Sequence, residues 1–199
     1  MTFKLPKDLQ KRTHYLDRVA PFMGKNMIKV FTGQRRVGKS YLLFQLIALL
    51  REQDKNVAIL YINKEDLDFS FIQTATDLQE YVLANKSKKG KTYVFIDEIQ
   101  DILQFEAALR SLLLYEDIDL YCTGSNANLL SGDIAGHLSG RYIEIVVYSL
   151  SYNEFLEFHS LTDSSSSLDK YLKYGGLPYL KHLVLEDAIV FEYLKNIYS

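Results

Sequence analysis

At 199 residues, 48% of them hydrophobic, the chain can bury one substantial core and a small appended helical unit. A net charge of −2 and a pI of about 6.1 make no global demand for nucleic acid or an anionic membrane as partner. The single cysteine, Cys122, excludes an intramolecular disulfide framework and a cysteine-based zinc site, and no run of 18 or more apolar residues exists to cross a membrane.

The segment Met1 to Asp8 lacks an apolar signal core with a cleavage site, so the expectation is a cytoplasmic protein that does not associate with a membrane. Leu9, Tyr15, Leu16 and Val19 predict a weakly amphipathic helix over residues 8–23, with its basic residues on a solvated face. The apolar run Ile28-Lys29-Val30-Phe31-Thr32 reads as a short buried strand. Directly after it comes Gly33-Gln34-Arg35-Arg36-Val37-Gly38-Lys39-Ser40, which satisfies G-x-x-x-x-G-K-[ST]. Tyr41 follows, and Leu42, Leu43, Leu46, Ile47 and Leu50 recur at helical spacing.

Strand, glycine-bounded loop and helix in that order are the context of a phosphate-binding P-loop. A polyphosphate needs many converging donors, and a loop wrapped around it supplies backbone N–H groups without side-chain bulk. The helix starting near Lys39 aims its N-terminal partial charge and unpaired N–H groups at the anion. In this reading Lys39 bridges the β- and γ-phosphates and the Ser40 hydroxyl ligates magnesium.

Val57 to Ile62 forms a second apolar run, suited to a strand covered on both faces. Asn63-Lys64-Glu65-Asp66 is a near match to a guanine-specifying element, but it follows the second strand rather than a late one. Ser70-Phe71-Ile72-Gln73 has capping-box spelling and predicts a helix through about Ala84. Lys86, Lys88, Lys89 and Lys91 then crowd a loop without interleaved aromatics, a pattern of solvated loops more than of nucleic-acid contacts.

Thr92 to Ile96 is the next strand, ending in Asp97-Glu98. This resembles the Walker B element of P-loop ATPases that carry a catalytic glutamate. Asp97 would hold the magnesium shell, and Glu98 would orient or deprotonate the attacking water. The separation from Lys39 to Asp97 accommodates one helix, one strand and one more helix, as an alternating α/β fold requires. A helix over about 102–115 and a strand over Ile118 to Cys122 follow, ending in Thr123-Gly124-Ser125-Asn126. Related ATPases place a polar residue that contacts the γ-phosphate or the water at the end of such a strand, and by that resemblance Thr123 and Ser125 are both candidates.

Leu129-Leu130-Ser131-Gly132 opens the bridge to Arg141, at the entry to a fifth strand over Tyr142 to Val147. Arg141 is either a charge-stabilising finger or a surface ion-pairing residue. Ser151-Tyr152-Asn153-Glu154 is another capping box. The serine-rich stretch from Thr162 to Ser167 reads as a loop at a subdomain boundary, giving a core over 1–160 and a helical lid over 161–199. Leu168, Tyr171 and Leu172 continue as a helix stopped at Gly175-Gly176, and a last helix runs from Glu186 to Tyr198.

The double arginine of the loop, Asp97-Glu98-Ile99-Gln100, Ser139-Gly140-Arg141 and Gly175-Gly176-Leu177-Pro178 together resemble the prokaryotic AAA-type P-loop ATPases, related to the STAND signalling NTPases. The resemblance covers roughly residues 10–180. It implies an α/β fold with a five-stranded parallel sheet of order 5-1-4-3-2, sandwiched by helices, plus a small C-terminal helical lid. It implies ATP and Mg2+ as cofactors, and Gly176 and Pro178 near the base. It also implies a further C-terminal domain, winged-helix or nuclease-like, for which the 21 residues after Pro178 (199 − 178) are too few.

The expected function is magnesium-dependent ATP binding and hydrolysis that resets a conformational switch. Two alternatives are a nucleotide-gated binding module with little hydrolysis and a nucleic-acid-associated ATPase that uses Lys86 to Lys91. Partners other than ATP and ADP are open, homo-oligomerisation included, as is the choice between Arg141 acting in its own chain and across a subunit interface.

Overall fold

The computed structural model describes residues 4–125 and 138–198. Asn126 and the bridge opening at Leu129 lie outside the described residues. Five strands, β1 (Ile28–Thr32), β2 (Ala58–Asn63), β3 (Thr92–Asp97), β4 (Ile118–Thr123) and β5 (Tyr142–Val146), pair in the order β2-β3-β4-β1-β5, all parallel. This is the order 5-1-4-3-2 read from the other edge. Strand β4 lies between β1 and β3, as the family resemblance implies.

Parallel strands need helical crossovers, and those crossovers bury both faces of the sheet. Helices α1 (Thr13–Val19), α2 (Lys39–Gln53), α3 (Ala75–Asn85) and α4 (Phe105–Leu112) belong to this part of the chain. Val30, Val94, Ile96, Leu120 and Cys122 pack with Leu78 and Val82 of α3 and with Phe105, Leu109 and Leu112 of α4. Side chains one residue on point to the other face. There Phe31, Phe95 and Tyr121 are fully buried, and the Phe95 and Tyr121 rings stack with centroids 4.5 Å apart. Burial pushes the Cys122 thiol up to about 12, so it serves as an inert apolar side chain.

Three local expectations shift. The first helix begins at Thr13, not near residue 8, because the preceding chain is tied to α2. Arg12 N donates to Gln45 Oε1 at 2.8 Å, and Gln45 Nε2 donates to Gln10 O at 2.9 Å. Helix α3 is capped by Thr74, not Ser70, with Asp77 as the reciprocal partner. The short aspartate closes a capping box as glutamate does. The helix expected over 102–115 is a 3-10 turn at Ile99–Asp101 followed by α4, because Leu103 instead makes a parallel bridge with Thr74.

By compactness the chain divides into two units, residues 1–34 with 39–147, and residues 35–38 with 148–199. The second unit holds α5 (Tyr152–His159), α6 (Ser165–Tyr174) and α7 (Asp187–Tyr198), so α5, placed with the core on sequence grounds, clusters here. Ser164 caps α6 by accepting from Ser167 N, so the last serines of the expected loop form the first turn of a helix. A small core of Tyr174, Leu177, Leu180 and Val190 joins α6 to α7. Asp187 accepts from Tyr174 Oη and Lys173 Nζ, both at 2.6 Å. Among the described residues no helix is long and apolar enough to cross a membrane.

The amino edge of the sheet holds a buried ion pair between Lys29 and Asp119. Lys29 Nζ also donates to Lys25 O at 2.9 Å, while Asp119 Oδ2 accepts from Gly24 N and from Tyr121 Oη, each at 2.8 Å. Burial draws the Lys29 ammonium below its ordinary pKa, against the pull of Asp119. A buried charge is tolerable only while its partner stays. Asp119→Ala should therefore destabilise the fold by about 3–5 kcal/mol in urea unfolding, whereas a shift below ~1 kcal/mol would show that the pair is dispensable.

Candidate functional site

The register of the sheet aligns three strand ends. Val30 pairs with Cys122, and Cys122 with Ile96, so Asp97, Thr123 and Phe31 form a row across β3, β4 and β1. Neighbouring strands lie about 4.8 Å apart, so Asp97 stands roughly 10 Å from the strand that leads into the glycine-bounded loop. Asp97 and Glu98 therefore occupy the same carboxyl edge from which that loop departs, with β4 between them.

One hydroxyl ties this edge together. Thr123 Oγ1, fully buried, donates to Asp97 Oδ1 and accepts from Glu98 N at 3.0 Å. Asp97 Oδ2 accepts a second hydroxyl, from Tyr61 on β2, at 3.0 Å. Burial first, and then the facing carboxylate, raise the Tyr61 phenol well above its ordinary pKa and keep it a donor. The Tyr61 ring continues into an aromatic row with Phe44 and Tyr41 of α2, at centroid spacings of 5.5 and 5.6 Å. Tyr41 itself is 44% exposed.

Glu98 adopts a left-handed conformation, φ 57° and ψ 55°, where a side chain costs about 1–3 kcal/mol. Its carboxylate accepts from Gln100 Nε2 at 2.7 Å. Backbone strain of this kind is retained only where the surrounding structure over-determines it, and here the Thr123 hydroxyl holds the Glu98 N–H.

The loop itself starts at Gly33, whose φ is 135°. A Cβ there would fall 2.2 Å from the Val147 carbonyl oxygen, so only glycine lets β1 turn out of the sheet beside the end of β5. Lys39 is buried at the start of α2 and donates from Nζ to Gly33 O at 3.0 Å and Gln34 O at 2.8 Å. Its ammonium is thereby held under its own loop. Ser40 beside it is half-buried, and Gln34 is exposed.

Arg35, Arg36, Val37 and Gly38 cluster with the second unit. Arg36 has φ 67°, and its guanidinium lies 5.6 Å from the centre of the Tyr193 ring on α7. Tyr193 stacks in turn on Tyr179. Val37 is buried, and a Cβ on Gly38 would lie 3.6 Å from Pro178 Cγ, which places Pro178 against the loop. Gly176 sits under Leu150, whose N–H it accepts at 2.6 Å.

Arg141 is not brought to this edge. It precedes β5 at the amino end of the sheet, where its carbonyl accepts from Ile28 N at 2.9 Å. The four residue steps of β1 separate it from the loop by about 13 Å along the strands, beyond what an arginine side chain spans. Ser125 lies two residues past the end of β4 and is half-buried. Tyr61, beside Asp97, is missed by motif reading, and Gln100, quoted within Asp97-Glu98-Ile99-Gln100, carries no role there although it reaches the Glu98 carboxylate. A tyrosine in an apolar strand looks like core, and only the pairing of β2 with β3 carries it to Asp97.

A sequence model of the AAA domain matches residues 25–156, more than half of the chain. The chain belongs to the AAA domain family. This AAA domain is 39% identical over 180 residues to an uncharacterized protein of Haemophilus influenzae, covering 87% of this chain and 45% of that protein. It is 35% identical over 183 residues to an uncharacterized protein of Methanocaldococcus jannaschii, covering 86% and 40%. The AAA chain thus spans less than half the length of these curated relatives.

Among solved structures it is similar to S. cerevisiae Hsp104 in its casein complex, with a TM-score of 0.55 and 14% identity over 87% of this chain and 36% of that one. It is also similar to the replication initiator DnaA bound to AMPPCP and single-stranded DNA (0.54, 14%, 90% and 60%). Aeropyrum pernix ORC1 in complex with DNA aligns likewise (0.53, 12%, 96% and 66%). At such identities the likeness is one of fold.

The donor set of the AAA domain fits a magnesium-bound polyphosphate. The Ser40 hydroxyl and Asp97 carboxylate are the hard oxygens that Mg2+ prefers. Each Asp97 oxygen that accepts a hydroxyl keeps a second lone pair. Removing the central hydroxyl should show its weight: Thr123→Val leaves the part-buried Glu98 N–H without this acceptor and should cost about 1–3 kcal/mol in urea unfolding. Thr123→Ser, which keeps the hydroxyl, should restore most of it. Equal stabilities for the two variants would deny the bridge its importance.

Proposed function

We propose that this chain is a magnesium-dependent ATPase module whose hydrolysis cycle resets a conformational switch. The observation that supports it is the Thr123 hydroxyl, which fastens Asp97 and Glu98 side by side on the edge where the P-loop leaves β1. Lys39 and the loop amides bind the phosphates of ATP. Ser40 and Asp97 would hold magnesium, which would supply charge neutralisation at the phosphate oxygens.

Glu98 takes the proton of a water whose oxygen bonds to the γ-phosphorus, while the bond from that phosphorus to the β–γ bridging oxygen breaks and ADP leaves. Because the Thr123 hydroxyl is engaged on both sides, sensing of the γ-phosphate falls to Ser125. Arg141, remote from its own loop, is suited to act on a nucleotide held by a neighbouring copy of the chain. Adenine as the base rests on the family resemblance, with Gly176 and Pro178 as base-side residues.

The DnaA and ORC1 structures contain DNA, but two of the four loop lysines are already engaged in this chain. Lys86 pairs with Asp117, and Lys91 Nζ donates to Gly24 O at 2.7 Å. Hydrolysis is therefore expected to be unchanged by added DNA or RNA.

Glu98→Gln should bind ATP as the parent does and lose at least ~100-fold in single-turnover hydrolysis, the low end for a general base. Lys39→Ala should lose binding of a fluorescent ATP analogue. Parental turnover in Glu98→Gln would remove the glutamate from its assigned role. ATP binding without any turnover in the parent would favour the nucleotide-gated module instead.

A further inference from the structure

We propose that Gln100 is a positioning residue that orients the Glu98 carboxylate for proton transfer, an inference that rests on the ATPase reading above. After β3 the chain reverses through the left-handed Glu98 and the 3-10 turn Ile99–Asp101. Ile99 and Ile102 anchor that turn in the apolar core. The reversal folds residue 100 back onto residue 98, and Gln100 Nε2 donates to Glu98 Oε2 at 2.7 Å, with a longer contact of 3.4 Å to Asp101 Oδ1.

The amide is placed at a disadvantage to the fold. Gln100 Oε1 is buried and has no hydrogen-bond partner among the described residues. An apolar side chain of similar size would leave no such orphan, so the stability of the turn does not call for a glutamine. A hydrogen bond from its N–H to an ionised carboxylate, by contrast, is of the stronger, charge-assisted kind. It fixes one oxygen of a side chain with three rotatable bonds and leaves Oε1 as the oxygen presented to water. The backbone is held at the same point by the Thr123 hydroxyl on Glu98 N. Main chain and carboxylate are thus pinned by two different residues, so that misplacement of the base requires breaking one or the other.

Four measurements on the 199-residue chain test this. In Gln100→Leu, kcat should fall roughly ten- to hundredfold with KM and fluorescent-analogue affinity unchanged, since only the base is displaced. Glu98 is half-buried, so its freed carboxylate regains water and the melting temperature should change little, whereas a merely structural glutamine would lower it and leave kcat alone. In a Glu98→Gln background, Gln100→Leu should add no further loss. Independently of turnover, a side-chain amide proton of Gln100, assigned by its disappearance in Gln100→Leu, should lie downfield in NMR spectra and move upfield in Glu98→Gln.

Should Gln100→Leu fail to fold, Gln100→Asn, one methylene too short to reach, carries the same expectations for kcat and KM. A parent that hydrolyses ATP alongside a Gln100→Leu variant of equal kcat overturns this inference alone. A parent without turnover overturns the ATPase reading and this inference with it. An amide proton indifferent to Glu98→Gln overturns the hydrogen bond on which the inference stands.

Discussion

The parallel register of β1, β4 and β3 is the constraint on which the rest of the site depends. Strands that run the same way must end on the same edge, so the loop after β1, the threonine ending β4 and the acids ending β3 meet without any further device. The Thr123 hydroxyl then converts proximity into connection. It donates to one acid and accepts from the main chain of the next, and no other group in the row has both capacities at that depth.

The two edges of the sheet divide their tasks by chemistry. At the amino edge, Lys29 and Asp119 form a closed polar cluster with Gly24 and Tyr121, satisfied from within. At the carboxyl edge the polar groups are satisfied only in part. Glu98 is held in a left-handed conformation, and the Gln100 carbonyl is left with no partner among the described residues. A network completed internally stabilises, whereas one with strain and open valences is suited to bind and react. The geometry of Arg141 follows from the same division, because the start of β5 belongs to the closed edge.

The second unit carries residues of the loop within its own cluster. Arg36 lies over Tyr193, and Gly38 faces Pro178, so the middle of the phosphate-binding motif and the carboxyl-terminal helix share contacts inside one compact unit. Several of that unit's apolar side chains, Leu172, Val184 and Phe191 among them, are exposed on a core of few buried residues. The curated relatives align with this chain over less than half of their own length.

Local sequence determined the strand–loop–helix of residues 28–53, the acids at the end of β3 and the stops at Gly175 and Gly176, because each is written in consecutive residues through periodicity, glycine placement and capping chemistry. It was less reliable where a distant strand or helix competes for the same backbone. Leu103 leaves its expected helix to bridge Thr74, and residues 8–12 leave theirs for Gln45. Which polar side chains converge was decided only by the tertiary structure. Tyr61 reaches Asp97, Thr123 couples two acids, and Arg141 is carried to the far edge through strand pairings between segments as distant in sequence as Ile28 and Tyr142. Pairing partners and register depend on the packing of the whole sheet, and no single segment contains that information.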